Sequence, residues 1–260
     1  MALKLKILGC GTSTGVPLPG CQCAICKSGD PKNFRDKTSA IVTLPSGEDI
    51  LIDAGSDFRH QALKWDLRKI DAVLLTHSHA DHILGLDDLR SFNFISRQPI
   101  PIYTNQATAD AVRRVFSYVF NQDPDYLGGL LPQLSLHEIP EFCELNLFQT
   151  KIQVFPLSHG GTSVLGFRFG QIAYATDCKS IPDPSLEVLR GVKYLVLDGL
   201  RYEAHNTHMT IDESIEWSGR IGAEKTYLTH LTHTVDYQET MKRLPEGVEL
   251  AYDGLEIVCG

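Results

Sequence analysis

Short apolar runs, each followed by a polar or glycine-rich segment, recur along the whole chain. Residues 3–9 alternate apolar and polar side chains with the period of two that is typical of a β-strand. Similar runs of four to seven residues, bounded by turn-forming residues, predict strands throughout the sequence. These further strands are predicted at 39–44, 49–53, 70–75, 101–103, 152–157, 164–169, 171–175, 194–198, 225–229, 248–252 and 255–258.

Helical patterns lie between many of these strands. We expect helices at 57–67, 82–96, 107–119 and 211–220; in the third, apolar residues recur on one face. The apolar residues of that face are Val112, Val115, Phe116 and Val119. Residues 120–135 predict an irregular loop, which is compatible with a lid, a packed connection or a subunit contact. Short strands interleaved with helices favour an α/β fold of two sheets packed face to face with helices outside.

Four of the predicted strands are followed directly by residues that bind metals. The densest case is the segment from Thr76 to His82, which reads His-x-His-x-Asp-His after an apolar strand. Imidazole and carboxylate groups suit zinc and similar divalent ions, and alternate members of this segment can face two metals side by side. A surface loop rich in histidine by chance is a poor explanation, because partner ligands follow at later strand ends. The candidate ligands are His77, His79, Asp81, His82, His159, Asp177 and His230.

Asp53 also stands at a strand end, and two roles remain open for it. Its carboxylate can orient a histidine ligand from behind, or it can cap the helix predicted at 57–67.

The cysteines predict a second metal site. Cys21, Cys23 and Cys26 are crowded into six residues, and the total of seven cysteines is odd, which argues against a disulfide framework. Three thiols at this spacing can bind one tetrahedral zinc if a fourth ligand comes from elsewhere; the alternative is three free thiols. The preceding Gly-rich loop at 9–15 lacks the lysine of a P-loop. We expect this loop to pass close to the metal site, because glycines permit close backbone approach.

Composition narrows the class of protein. The net charge of −8 disfavours nucleic-acid binding, which needs a basic face, and bound divalent metals would offset part of that charge near the substrate. No apolar run approaches the roughly 20 residues of a membrane span, and the alternating N-terminus is unlike a signal peptide. Without a linker-like segment, the 260 residues are expected to form one cytoplasmic hydrolase domain with no membrane partner.

The ligand set and its order resemble the metallo-β-lactamase superfamily over nearly the whole chain. That resemblance implies a four-layer αββα sandwich holding two divalent metals, zinc or manganese. It implies that His77, His79 and His159 hold one metal. It implies that Asp81, His82 and His230 hold the other metal and that Asp177 bridges the two metals. An aspartate at 177, where many β-lactam-hydrolysing members carry cysteine, resembles the phosphodiesterase branch; the neighbouring Cys178 is interpreted as a supporting or core residue.

The cysteine cluster, together with the segment 229–233, is similar to the phosphoribosyl cyclic phosphodiesterases of bacterial phosphonate breakdown. The Gly-rich loop and the ending at 252–257 match as well. This resemblance implies a structural zinc held by Cys21, Cys23, Cys26 and His233, within a zinc-binding loop at about 10–36. It also implies that His208 is a catalytic histidine that binds no metal; from the residues alone, His205 is an equal candidate.

The implied function is hydrolysis of a small cyclic or diester phosphate, such as a phosphoribosyl cyclic phosphate. A hydroxide shared by the two metals would attack phosphorus, with Asp81 and His208 as catalytic residues. We expect a homodimer, which is usual for such folds, and no nucleic-acid partner.

Three rival functions share features with this sequence. One is a transfer-RNA 3′-processing endonuclease of the same superfamily, which would carry a basic arm. Another is a pyrroloquinoline-quinone biosynthesis protein of the same fold, whose activity would need iron and dioxygen. The third is a non-catalytic metal-binding or partner-binding protein, which a complete ligand set argues against.

Overall fold

Two seven-stranded sheets pack face to face in the computed structural model, which describes residues 2–120 and 128–260. The strands are β1 (Leu3–Gly9), β2 (Ser39–Thr43), β3 (Asp49–Ile52), β4 (Ala72–Leu74), β5 (Ile100–Thr104), β6 (Leu134–Glu138), β7 (Cys143–Leu147), β8 (Thr150–His159), β9 (Thr162–Phe169), β10 (Ile172–Ala175), β11 (Tyr194–Asp198), β12 (Lys225–Thr229), β13 (Val248–Leu250) and β14 (Glu256–Cys259). Their order is β14-β1-β2-β3-β4-β5-β6 in one sheet and β13-β12-β11-β10-β9-β8-β7 in the other. The fold is therefore the predicted αββα sandwich of the metallo-β-lactamase type.

Helices cover the outer face of each sheet. One apolar cluster fills the space between the sheets, and a separate cluster joins each outer face to its helices. For example, Phe58 and Phe92 pack on the first sheet, whereas Leu186 and Ile211 pack on the second. The helices are α1 (Phe58–Lys64), α2 (Ala80–Ile83), α3 (Arg90–Ser96), α4 (Gln106–Val115), α5 (Ser117–Phe120), α6 (Asp183–Leu189), α7 (Ile211–Ile221) and α8 (Tyr237–Met241).

Parallel pairing of the strands places the predicted metal ligands at one edge of the sandwich. Strands β3 to β6 pair in parallel, as do β10 to β13, so within each set the carboxyl ends lie at the same sheet edge. The segments that follow β4, β10 and β12 carry the predicted metal ligands.

The prediction of one continuous helix at 82–96 is wrong. It begins at Ala80 and is interrupted by a 3₁₀ segment, Leu86–Leu89, before α3 starts. The break lies at Gly85, whose N–H donates to the carbonyl of Ala54 at 2.8 Å. A Cβ at Gly85 would lie 2.1 Å from the Gly55 carbonyl oxygen, so this turn packs directly against the loop after β3 and cannot continue a regular helix.

Other predictions need smaller corrections. The helix at 107–119 ends at Val115, which is exposed, and a separate turn of helix follows it. Residues 134–135, expected to be irregular, begin strand β6; residues 121–127 of the expected 120–135 loop lie outside the described residues. Strand β7 and helices α6 and α8 were not predicted. None of the helices in the described ranges combines the length and the apolar character that a bilayer span requires.

Two buried charged residues fasten the N-terminal loop to the rest of the fold. Arg35 is 1% exposed and donates to the carbonyls of Thr232 and Val235 at 2.8 and 2.7 Å. The carboxylate of Asp253 accepts hydrogen bonds from the backbone N–H groups of Cys10 and Asp36, at 3.0 and 2.9 Å. Burial raises the pKa of Asp253 to about 6 against the opposing effect of these bonds. The loop that contains the cysteines is therefore held beside the segment after β12.

We expect Asp253→Ala to destabilise the protein by about 2–4 kcal/mol, because two buried N–H groups lose their acceptor. Urea unfolding would measure the change in the free energy of unfolding. Glu246→Ala, at an exposed site, is the control and should change it by less than about 0.5 kcal/mol. Equal unfolding curves for the two variants would contradict the role of Asp253.

Candidate metal centre

Three polar residues at strand ends adopt left-handed backbone conformations. Asp53, Asp177 and His230 follow β3, β10 and β12, and their φ angles are 59°, 55° and 61°. Such conformations cost on the order of 1–3 kcal/mol for non-glycine residues and concentrate at functional sites. These three residues belong to one cluster, so the fold holds this geometry against a local cost.

The first half of the cluster consists of three histidines. His77 and His79 lie on the loop after β4, and His159 is the last residue of β8. One ring nitrogen from each lies within 4.8 Å of the others, and His77 Nε2 lies 2.9 Å from His79 Nδ1. His77 and His159 are buried, whereas His79 is exposed. These three nitrogens face a common point, as one metal ion would require.

The second half combines two carboxylates with two histidines: Asp81, His82, Asp177 and His230 are all buried, and their ligand atoms lie within 4.8 Å of one another. Asp177 lies between the halves. Its Oδ1 is 3.2 Å from His230 Nε2, 3.4 Å from His82 Nε2 and 4.0 Å from His77 Nε2. A single carboxylate oxygen therefore approaches histidines of both groups, which is the position of a bridging ligand.

The electrostatics of the cluster follow from burial and from these contacts. Burial alone would raise the pKa of the Asp177 carboxyl, but His230 and His82 outweigh it and hold the pKa well below its usual range. Burial, reinforced by His82, lowers the pKa of His77 well below its ordinary value. An ionised Asp177 and a neutral His77 are the protonation states that bind divalent metals. For His82 and His230, burial lowers the pKa, but Asp177 and the neighbouring carboxylates outweigh burial and raise it.

Asp53 orients one of the ligands. Its Oδ2 lies 2.7 Å from His82 Nδ1, and its Oδ1 accepts the N–H of Thr76 at 2.8 Å. The N-cap position of α1 is occupied by Asp57 instead. Of its two candidate roles, Asp53 therefore has the first, since it fixes His82 with Nε2 toward the cluster. His159 is held similarly, with Nδ1 3.0 Å from the carbonyl oxygen of Thr207.

These residues fit divalent metals. Among the described residues, the buried Nε2 atoms of His82 and His230 form no hydrogen bond, which is costly for polar atoms without a partner. Their contacts are to carboxylate oxygens at 3.2–3.8 Å, which leave space for an ion between them. A set of imidazole and carboxylate groups is the chemistry that zinc and manganese prefer.

His208 stands beside these two groups, and one of its ring nitrogens also lies within 4.8 Å of ligand atoms of His159 and Asp177. Its ring is stacked on that of His230, with centroids 4.5 Å apart and an interplanar angle of 10°. It meets His159 edge-on at 4.7 Å. The carboxylate of Asp198 lies 2.7 Å from His208 Nδ1 and also accepts the N–H of Cys178 at 2.7 Å. His208 therefore presents Nε2 as its available nitrogen, next to the metal ligands.

The cysteine cluster forms a separate site. Cys21, Cys23, Cys26 and His233 bring their ligand atoms within 4.8 Å of one another. Both Cys21 Sγ and Cys23 Sγ lie 3.5 Å from His233 Nδ1. The backbone N–H of Cys26 and the ring of His233 lower the pKa of Cys23 to about 6, which favours the thiolate that zinc binds. This arrangement fits one tetrahedral metal.

The structure thus brings together every residue that the sequence predicts at the two sites. Cys178 is buried in the apolar cluster under the second sheet, as interpreted. Sequence reasoning missed Asp198, Thr76 and Thr207. The sequence does contain a signal for Asp198, because it is a carboxylate at the end of a buried strand, like the predicted ligands. No sequence pattern indicates the hydroxyl and carbonyl contacts of the two threonines.

Comparisons with known proteins identify the family of this chain. A family model described as a beta-lactamase superfamily domain matches residues 48–231. A crystal structure of a new diphosphatase from the PhnP family superposes with a TM-score of 0.92 and 42% identity, covering 100% of this chain and 99% of that one. An octanoyltransferase of Porphyromonas gingivalis is 38% identical over 258 residues, which are 98% of this chain.

This chain spans about half of the Porphyromonas protein, 51% of its length. A coenzyme PQQ synthesis protein B of Methylobacterium radiotolerans is 30% identical over 222 residues, covering 76% of this chain and 73% of that protein.

We predict that Cys23→Ser removes one equivalent of bound metal per chain and leaves the metal of the histidine and aspartate cluster in place. The two sets of ligands share no side chain, so the loss should be confined to the cysteine site. Elemental analysis by mass spectrometry of the purified protein would measure the stoichiometry. Cys143→Ser, a half-buried cysteine on β7, is the control and should retain all the metal. Equal metal content in both variants would exclude the cysteine site.

Proposed function

The chain belongs to the β-lactamase superfamily, and we propose that it is a metal-dependent phosphodiesterase acting on a small cyclic or diester phosphate. This superfamily includes hydrolases, which supports the proposal that the chain is a hydrolase. The clusters of histidine and aspartate support the binding of divalent metal. The similarity to a PhnP-family diphosphatase supports a substrate in which a phosphate group is cleaved. A phosphoribosyl cyclic phosphate is a substrate of this kind. We also propose that the whole chain acts as one hydrolase domain and that it forms a homodimer.

The observation that carries this proposal is the position of His208. It is 8% exposed, lines a pocket of about 280 Å³ and contacts the rings of two proposed metal ligands. A histidine so placed can give a proton to an oxygen of a substrate bound at the metals. A metal site with a purely structural role would not require a histidine that can transfer a proton.

Asp198 and His230 position His208 for this step. The carboxylate of Asp198 accepts the Nδ1 proton at 2.7 Å, which fixes the tautomer and the orientation of the ring. The stacked ring of His230 limits rotation. His208 Nε2 then donates its proton to the alkoxide that leaves phosphorus, or to a non-bridging oxygen that gains charge.

The metal ligands would provide the rest of the site. In this proposal His77, His79 and His159 hold one ion and Asp81, His82 and His230 hold the other. Divalent metals there would withdraw charge from the phosphate oxygens and lower the pKa of the attacking water. Asp177, placed between the groups, would contact both ions with a hard oxygen, which suits zinc or manganese. We also propose a catalytic role for Asp81, whose carboxylate lies 3.8 Å from His230 Nε2.

The size and charge of the site favour a small substrate over RNA. The pocket beside His208 holds about 280 Å³, which is the scale of a sugar phosphate. The chain carries a net charge of −8, which repels a nucleic-acid backbone outside the immediate site.

We predict that the protein loaded with manganese or zinc hydrolyses bis-(p-nitrophenyl) phosphate and a ribose cyclic phosphate, and that a chelator abolishes both activities. The comparison panel should include 2′,3′-cyclic nucleotides, linear diesters and a precursor transfer RNA. Release of p-nitrophenol and chromatography of the products would measure turnover. Preference for the RNA, or an activity that requires iron and dioxygen, would contradict the proposal.

His208→Ala should lower kcat by about 10²- to 10⁴-fold, the usual contribution of a general acid, with unchanged metal content. Asp198→Asn should lower kcat less and alter the pH profile, because the ring remains but its tautomer is no longer fixed. His60→Ala is the matched control, since its side chain is 64% exposed and belongs to neither cluster. Full activity in His208→Ala would remove this residue from the mechanism.

A further inference from the structure

A second pocket borders the Gly-rich loop, with walls that differ from those of the pocket beside His208. It has a volume of about 440 Å³, which is an ordinary size for a small-molecule site. We call it the Phe34 pocket, after the aromatic residue in its wall. Thr14 lines both pockets, so the two are neighbours along the loop. Neither the metal ligands nor His208 line the Phe34 pocket, and the proposed hydrolysis does not use it.

The Phe34 pocket lies at the same edge of the sandwich as the metal ligands. Its walls come from the segment after β1, the segment before β2 and the segment after β3. Strands β1 to β4 are consecutive neighbours in the first sheet, and their pairing brings these three segments to the edge where His77–His82 follow β4. The middle of the pocket is therefore two strand spacings from that segment, on the order of 10 Å. The sugar of a nucleoside can span this distance.

Part of the wall of the Phe34 pocket is apolar and held in place. It consists of Val16, Pro17, Pro19 and Phe34, which is 50% exposed. Val16 and Arg35 form an antiparallel bridge, with N···O distances of 2.9 and 2.7 Å, so the spacing between the proline segment and Phe34 is fixed. An exposed aromatic ring fixed beside other apolar groups provides a stacking surface for a planar ligand.

Another part of the wall is polar and contains both a donor and an acceptor. The amino group of Lys37 donates to Ser56 Oγ at 2.6 Å and lies 3.8 Å from Asp57 Oδ1. The backbone N–H of Lys37 donates to Asp57 Oδ2 at 2.9 Å, which fixes the carboxylate. Both side chains are partly exposed at the pocket. An apolar surface next to a fixed donor and acceptor matches a nucleobase, which stacks through its faces and forms hydrogen bonds through its edges.

A diester phosphate carries two organic groups, and one of them must leave. His208 gives its proton to the oxygen of the leaving group, so that group occupies the pocket beside His208. The Phe34 pocket is then available to the group that stays attached to phosphorus.

We propose that the Phe34 pocket binds the base of a nucleoside that remains esterified to the hydrolysed phosphate. This inference rests on the proposed function and specifies its substrate class: a linear diester of a nucleoside 5′-phosphate. Water adds to phosphorus, the bond from phosphorus to the oxygen of the other alcohol breaks, and that oxygen takes the proton from His208. The products are a nucleoside 5′-monophosphate and a free alcohol. Phe34 is the specificity-determining residue, because its ring stacks on the base.

The test compares two linear diesters with the same glycerol leaving group. One is esterified by the 5′-hydroxyl of adenosine, and the other by the 5-hydroxyl of methyl ribofuranoside, which has no base. In the metal-loaded protein, Phe34→Ala should raise KM for the adenosine diester about 5- to 100-fold, the usual contribution of a base stacked on an aromatic ring. Its kcat, and the KM for the diester without a base, should not change. Phe34→Tyr keeps the aromatic face and should resemble wild type.

Phe94→Ala is the matched control, because Phe94 is 52% exposed on α3 and lies outside the Phe34 pocket. Its KM for both diesters should equal that of wild type. Chromatography of the products provides a second criterion, since adenosine 5′-monophosphate and glycerol are expected. Release of adenosine with glycerol phosphate would place the base on the leaving side and overturn the inference, as would an unchanged KM for the adenosine diester in Phe34→Ala.

Calorimetric binding of adenosine 5′-monophosphate and ribose 5-phosphate to wild type and Phe34→Ala separates the pocket from the chemistry. Wild type should bind the nucleotide more tightly than the sugar phosphate, and Phe34→Ala should lose most of this difference. That result supports the pocket even if no diester is hydrolysed, an outcome that would overturn only the phosphodiesterase. Hydrolysis of the diesters together with equal binding of the nucleotide by both proteins would overturn the inference and leave the proposed function intact.

Discussion

Buried imidazole and carboxylate groups cannot remain packed together without a partner for their unpaired atoms, and this constraint organises the structure. At the edge of the sandwich, His82 and His230 direct buried nitrogens at carboxylate oxygens 3.2–3.8 Å away without forming hydrogen bonds. Removing such groups from water costs several kcal/mol unless they are compensated. Cations placed among them would compensate all of them together. The strained backbone at Asp53, Asp177 and His230 is consistent with a fold that holds this arrangement for function.

The scaffold supports the site from two directions. Parallel strands deliver the ligands to one edge, and residues behind them fix the rings, as Asp53 does for His82 and Asp198 for His208. The cysteine loop supports the other side, since His233 lies three residues after His230 and Arg35 ties the loop to the same segment. Structural metal and catalytic metal would thus meet along one short stretch of chain. The same loop forms a wall of the pocket in which a substrate would bind.

Most of this organisation could be predicted from the sequence, because buried strands and strand-end ligands leave strong local patterns. The segment His77–His82 and the strands around it needed no tertiary information. Strands β6 and β7 were missed because each lies at a sheet edge and is half exposed, which weakens the apolar alternation. The helix break at Gly85 depends on its contact with the loop after β3.

The central claim is that the cluster of histidines and aspartates at the strand ends, here called the strand-end cluster, binds two metals and is separate from the cysteine site. Anomalous diffraction from crystals of the metal-loaded protein, recorded on both sides of the zinc and manganese absorption edges, tests it most directly. The account predicts two peaks among the histidines and aspartates, with Asp177 between them, and a third peak among the cysteines and His233. A single peak in the strand-end cluster, or none, would contradict the account.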